Sequence, residues 1–173
     1  FDEIASDVCV YEVGPRDGLQ NEKAFIASEE KAQLIAALAD AGLPKIEITS
    51  FVHPRWIPAL ADADEVVRQC MSHPKSPQFT ALVPNQRGLE RALATDLEEI
   101  AVFMSASVTH NQRNINKNHQ QAYDAFEPVF AACRQRGIRV RAYVSTVWGC
   151  PYEGRISPKI TASIAEKLVA MGA

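Results

Sequence analysis

Nine consecutive residues, Gly14-Pro15-Arg16-Asp17-Gly18-Leu19-Gln20-Asn21-Glu22, set a cation, two acids and two amides into the turn that follows a short apolar run, Val8 to Val13. An arginine fork grips a carbonyl or carboxylate oxygen with two N–H groups and stabilises it as negative charge develops, which is the chemistry Arg16 offers. Asp17 beside it is a hard oxygen ligand of the kind that holds a divalent cation. A solvated strand-to-helix loop explains charge, but an adjacent guanidinium and carboxylate at the C-terminal end of a buried strand weigh against that plain reading. Arg141 and Tyr143, two apart in Val140-Arg141-Ala142-Tyr143, share one face of a strand. A buried arginine there requires an anion, from a ligand or from an acidic neighbour inside the sheet.

The elements that must position these groups alternate along the chain. Val8 to Val13 suits a buried strand ended by Gly14-Pro15. From Ser28, as N-cap, a helix with inward-facing Leu34, Ile35 and Leu38 runs toward Gly42. Strand and helix patterns then repeat: Lys45 to Thr49, Ala61 to Met71, Gln78 to Val83, Asn85 to Ala94, Glu99 to Phe103, Gln120 to Arg136 closed by Gly137, Ile138 to Val144, and Pro158 to Met171 after Ser157. About five strand–helix units predict an α/β class with parallel strands and right-handed crossovers. The chemically unusual residues follow strand ends. That favours the N-terminal portion of a (β/α)8 barrel, whose C-terminal rim gathers side chains at one centre, over an open doubly wound sheet.

Composition bounds the partners. The 173 residues are 47% hydrophobic and 23% charged, with a net charge of -3, so one globular domain over 1–173 is expected, and no uniform positive field draws nucleic acid. No apolar run approaches the roughly 18 residues of a membrane span, and Asp2, Glu3 and Asp7 are wrong for a signal peptide. Cys9, Cys70, Cys133 and Cys150 are widely spaced, which fits a reducing compartment, with Cys9 and Cys70 read as core packing and Cys150 as packing before reactive thiol. His53, His73, His110 and His119 show no metal-binding spacing and read as surface residues.

Gly14 to Glu22, together with Ile46-Glu47-Ile48-Thr49-Ser50-Phe51, Arg113-Asn114-Ile115-Asn116 and Gly149-Cys150-Pro151-Tyr152-Glu153-Gly154, resembles the hydroxymethylglutaryl-CoA lyases, members of the metal-dependent lyase and synthase barrels. The resemblance implies cleavage of 3-hydroxy-3-methylglutaryl-CoA to acetyl-CoA and acetoacetate. It implies Arg16 and Glu47 as catalytic, Asp17 as a ligand to Mg2+ or Mn2+, and Arg16, Gln20, Asn114, Arg141 and Tyr143 as substrate-binding. Glu47, on the strand face opposite Ile46 and Ile48, would orient Arg16. Ser50 is expected to make local hydrogen bonds. Lys117 and Arg113 read as CoA-phosphate contacts or as a solvated loop. An acyl-CoA partner, a homodimer of the intact protein, and a bacterial cytoplasm or a mitochondrial matrix are the expectations that follow, the last in a eukaryote. Another acyl-CoA lyase, a Claisen-type synthase and a non-catalytic CoA-binding module stay open as alternatives. Leu19 speaks against the synthase, because isopropylmalate synthase and its kin carry an acidic residue there.

The resemblance also implies a later H-x-H metal pair, a further Asn ligand and a Gly-rich loop with a catalytic Cys, none of which this sequence contains. The chain starts at Phe1, not Met, which suggests a fragment, and it stops at Ala173, about where a sixth strand would begin, so with those later motifs missing it is expected to be truncated at its C-terminal side. By itself it is expected to be inactive and, with barrel edges exposed, marginally stable.

Overall fold

The computed structural model describes residues 8–74 and 77–173; Asp2, Glu3 and Asp7 lie outside them. The chain divides into two compact units, 1–81 and 82–173. In the first, β1 (Tyr11–Glu12) runs parallel to β2 (Lys45–Ser50), with Tyr11 opposite Lys45 and Glu12 opposite Ile46, and β3 (Gln78–Leu82) follows β2 in sheet order. The crossovers between these strands are helical, α1 (Ser28–Asp40) and α2 (Ala63–Cys70). Ile46 to Ser50 are all buried, because β2 lies between two strands.

The second unit opens with α3 (Gln86–Ala92), capped by the Asn85 side chain, which accepts from Gly88 N at 3.1 Å. Then β4 (Glu99–Ser105) pairs in parallel with β5 (Arg139–Ser145), Glu99 opposite Arg139 through Ser105 opposite Ser145. Two helices, α4 (Val108–Ile115) and α5 (His119–Arg136), form the crossover, and α6 (Pro158–Met171) follows a small antiparallel pair, β6 (Gly149–Cys150) and β7 (Gly154–Arg155). Gly137 ends α5 at φ 69°, a left-handed position where a side chain would be strained.

Several expectations are corrected. The run Val8 to Val13 is not a buried strand: only Tyr11 and Glu12 pair, and Val8, Cys9 and Val10 are exposed. An edge strand with two ladder residues leaves its apolar approach uncovered. Leu34 is 42% exposed, while Ile35 and Ala39 carry the buried stripe of α1. Ser28 is not the cap of that helix. Ala27 holds the cap position, its N–H donating to Glu30 Oε2 at 3.1 Å, and the Ser28 hydroxyl donates instead to Asp62 Oδ2 at 2.6 Å. Ser157 precedes α6 as expected but makes no side-chain cap bond. Helix α4 escapes periodicity because it is polar nearly all round; the Ser107 side chain, accepting from His110 N at 2.9 Å, starts it.

Asp62 belongs to a buried ion pair that the sequence does not announce. Lys31, 3% exposed, places Nζ 2.6 Å from Asp62 Oδ1 and 2.6 Å from the Ala59 carbonyl. Removing one partner leaves a buried charge uncompensated. Lys31→Met is therefore expected to lower unfolding free energy by about 3 kcal/mol, whereas Lys31→Met with Asp62→Leu recovers most of it, as urea unfolding of the full-length protein would show.

Candidate active site

The strand β1 delivers the chain into a tight turn, Gly14–Gly18, in which Val13 O accepts from Arg16 N at 3.0 Å and Asp17 N at 2.7 Å. Gly14 N donates to Glu12 Oε1 at 2.6 Å, so the end of the Glu12 side chain folds back onto the turn. This turn aims Arg16 at Glu47. Arg16 Nε donates to Glu47 Oε1, and Arg16 Nη1 donates to Asp17 Oδ1 at 2.7 Å. Glu47 is fully buried and the Arg16 side chain 14% exposed, while that of Asp17 is 57% exposed. The gradient runs from a dry anchor to a wet tip.

Neither ion pair uses Arg16 Nη2, so among the described residues one edge of the guanidinium has no protein partner. Gln20 Nε2 donates to Asp17 Oδ1 at 3.1 Å, holding the carboxylate from its own turn, and Asn21 Nδ2 donates to the Asp17 backbone carbonyl at 2.8 Å. Gln20 is thus tied to Asp17. The buried Thr49 hydroxyl, two residues beyond Glu47 and on the same strand face, has no hydrogen-bond partner among the described residues. Ser50 Oγ accepts from Val52 N at 3.3 Å, the local bond expected of it.

A divalent cation prefers several oxygen ligands. Asp17 offers one carboxylate, with Oδ1 already engaged, and no group of three or more His, Cys, Asp or Glu able to hold a metal occurs among the described residues. These residues do not complete a metal site.

Asn114, Arg141 and Tyr143 lie in the second unit. Asn114 is exposed on α4, and Arg141 and Tyr143 occupy the same face of β5, with the guanidinium carbon 5.3 Å from the Tyr143 ring centroid. Arg141 is exposed, which corrects the expectation of a buried charge that would demand an anion: among the described residues β5 is the last strand of its sheet and pairs only with β4. Arg113 stacks on Tyr152, its guanidinium carbon 4.3 Å from the ring centroid.

The end of β4 holds a polar cluster missed by sequence reasoning. Ser105 is buried, its hydroxyl 2.6 Å from His110 Nδ1 and 2.7 Å from Ser145 Oγ, its carbonyl 2.9 Å from His119 Nε2, and its N–H donating to Asn111 Oδ1 at 2.9 Å. His110 and His119 are therefore half-buried structural groups, contrary to the surface reading, whereas His53 is exposed. No apolar period marks them; their only signal is the density of Ser, His and Asn after a strand. Nearby, Cys150 is buried as expected. Burial by itself raises its thiol, but bonds from the Ser107 hydroxyl and the Tyr152 and Glu153 N–H groups outweigh that and bring it below its ordinary value. Burial pushes Cys70 up to about 12 and Cys133 to about 11, so both are inert packing groups. A groove of about 300 Å³ between α5 and α6, lined by Tyr123, Phe130, Arg134 and Met171, contains none of the candidate residues.

Comparison with known proteins places the chain as a whole. The sequence is 48% identical over 165 residues to a hydroxymethylglutaryl-CoA lyase of Bacillus subtilis, covering 95% of this chain and 55% of the relative. It is 43% identical to the mitochondrial hydroxymethylglutaryl-CoA lyase of Rattus norvegicus, covering 95% of this chain and 50% of that one. The chain thus spans about half the length of the curated relatives it matches. The crystal structure of the Bacillus lyase superposes with a TM-score of 0.89 over 94% of this chain and 54% of its own. That of an Acinetobacter baumannii lyase, in complex with coenzyme A and 3-methylmalate, gives 0.87 at 34% identity over 93% of this chain and 52% of its own. The fold is accordingly α/β, the N-terminal portion of a (β/α)8 barrel. The HMGL-like family model matches residues 7–173, and the chain belongs to that family.

Proposed function

We propose that the full-length protein is a hydroxymethylglutaryl-CoA lyase and that residues 1–173 form a partial-barrel domain carrying the electrostatic half of its active site. The observation that carries this reading is Arg16, anchored at Nε by buried Glu47 and at Nη1 by Asp17, with its remaining edge unengaged. In the cleavage, the tertiary hydroxyl of 3-hydroxy-3-methylglutaryl-CoA gives up its proton and its oxygen becomes the ketone of acetoacetate. The carbon–carbon electron pair passes to the departing two-carbon thioester, whose enolate takes a proton to become acetyl-CoA. Negative charge grows on the thioester oxygen. Arg16 donates to that oxygen from a fixed position, so the stabilisation needs little reorganisation as the bond breaks. Glu47 holds the guanidinium plane, and Asp17 and Gln20 shape the wet side of the turn.

Mg2+ or Mn2+ is the proposed cofactor, with Asp17 its single ligand from this chain, supplying Lewis-acid polarisation of the substrate's oxygens when bound. Asn114, Arg141 and Tyr143 are proposed to bind the acyl-CoA. The homology of this chain to a lyase bound to coenzyme A supports that assignment. No helix among the described residues is long and apolar enough to cross a membrane. We place the protein in a bacterial cytoplasm or a mitochondrial matrix, the latter in a eukaryote, in line with its bacterial and mitochondrial relatives. A homodimer of the full-length protein and, from the net charge of -3, no nucleic-acid partner complete the proposal.

Incubating the full-length protein with Mg2+ and the thioester is expected to release acetoacetate and acetyl-CoA in equal amounts, with loss of turnover in excess EDTA. Residues 1–173 alone are expected to release none. Absence of acetoacetate from the full-length protein overturns the reading.

A further inference from the structure

Two of the groups that hold Glu47 are Arg16 and Tyr11, and of these Arg16 belongs to the chemistry described so far. Arg16 Nε occupies Oε1. The other oxygen, Oε2, accepts a hydrogen bond from the Tyr11 hydroxyl at 2.9 Å, and that same hydroxyl meets Thr80 Oγ1. A carboxylate only accepts, so the single phenolic proton is committed to Glu47 and the phenolic oxygen must accept from Thr80. Proton direction is therefore fixed along the line Thr80 to Tyr11 to Glu47. The phenol ring has little freedom either, because Lys45 Nζ lies 5.0 Å from its centroid on the same strand face as Glu47. The line crosses all three strands of the first unit, with Tyr11 on β1, Glu47 on β2 and Thr80 on β3.

We infer that Tyr11, backed by Thr80, is a positioning residue for the Arg16 fork; this rests on the lyase reading above. A carboxylate bonded through one oxygen can swing about its terminal torsion, and the arginine moves with it. Fixing the second oxygen from a different strand sets the carboxylate plane and so the direction of the unengaged guanidinium edge. Nothing in the run Val8 to Val13 marks Tyr11 for this task. It has the look of one more apolar strand residue.

The test is made on the full-length protein with two independent readouts. Tyr11→Phe deletes the donor while keeping the ring. It is expected to lower kcat between about 10- and 100-fold, the range typical of a lost outer partner, with KM within twofold. The second readout is hydrogen exchange at Arg16 Nε–H, followed by proton–nitrogen NMR and assigned by its disappearance in Arg16→Lys. Its exchange is expected to quicken about tenfold in Tyr11→Phe. Thr80→Val is expected to shift both in the same direction by less, and Thr80→Ser, which keeps the hydroxyl, to match the parent. Should Tyr11→Phe leave the exchange rate and kcat unchanged, the inference is overturned, as it is if Thr80→Ser behaves like Thr80→Val. If the parent protein releases no acetoacetate, the lyase reading fails while the exchange measurement still decides whether Tyr11 positions Arg16.

Discussion

On the proposed lyase reading, Arg16→Lys is expected to lower the turnover of the full-length protein about a thousandfold while leaving KM within a few-fold, because it removes an interaction that matters mainly at the transition state. The positive charge survives the substitution. What is lost is geometry. Arginine bonds Glu47 through Nε and Asp17 through Nη1 and still has an edge to give, each contact fixed by one rigid plane. An ammonium presents three donors from a single atom on a flexible stem, so it can satisfy the buried Glu47 or reach the developing enolate oxygen, but not both at their proper distances. Steady-state kinetics of acetoacetate release settle the matter. A fall of less than tenfold means that a point charge suffices, and the fork account is then wrong.

The strand–helix alternation was legible because each segment keeps one period: β2 alternates Ile46 and Ile48 with polar residues, β4 is apolar enough to be buried along nearly its whole length, and α5 and α6 carry clear stop and start residues in Gly137 and Pro158. What failed is instructive in each case. Val8, Cys9 and Val10 are apolar by composition but exposed, since burial needs neighbours on both sides and β1 has a ladder of two residues. Arg141 was placed on the correct strand face with Tyr143, yet exposure depends on whether another strand lies beside β5, which alternation within β5 cannot reveal. Helix α4 forms without an apolar stripe because Ser107 caps it and buried Asn111 ties it down by accepting from Ser105 N and donating to the Lys117 carbonyl at 2.8 Å.

For the site, residue types and their place after a strand pointed to Arg16 and Asp17, while Glu47, inside β2, was implied by the family resemblance. The pairing of Arg16 with Glu47 crosses from the first turn to the second strand, a contact the parallel register of β1 and β2 brings about. Tyr11 and the Ser105 cluster stayed hidden for a common reason. Their meaning lies in what a hydroxyl touches, and a lone tyrosine or serine in an apolar run gives no spacing from which to read that.

The second large effect concerns Glu47, where two substitutions separate charge from bulk. Glu47→Ala removes the buried partner of a guanidinium that is itself only 14% exposed, and leaves the Tyr11 hydroxyl facing a void. It is expected to reduce unfolding free energy by about 3–5 kcal/mol and to abolish measurable turnover. Glu47→Gln keeps the volume. Its carbonyl oxygen can still accept from Arg16 Nε, while its amide turns a donor toward Tyr11, whose proton then has to swing to Thr80. The network thus stays satisfied with its proton direction reversed, so the thermal midpoint is expected to move by only a few degrees while kcat falls about a hundredfold, because a neutral amide holds the guanidinium more weakly than a carboxylate. Combining Glu47→Gln with Tyr11→Phe is the sharpest form of the experiment. If Tyr11 acts through Glu47, its removal costs much less in the glutamine background than in the parent, and kinetics of the four proteins measure that coupling directly. Fully additive losses would mean that the phenol and the carboxylate serve Arg16 by separate routes.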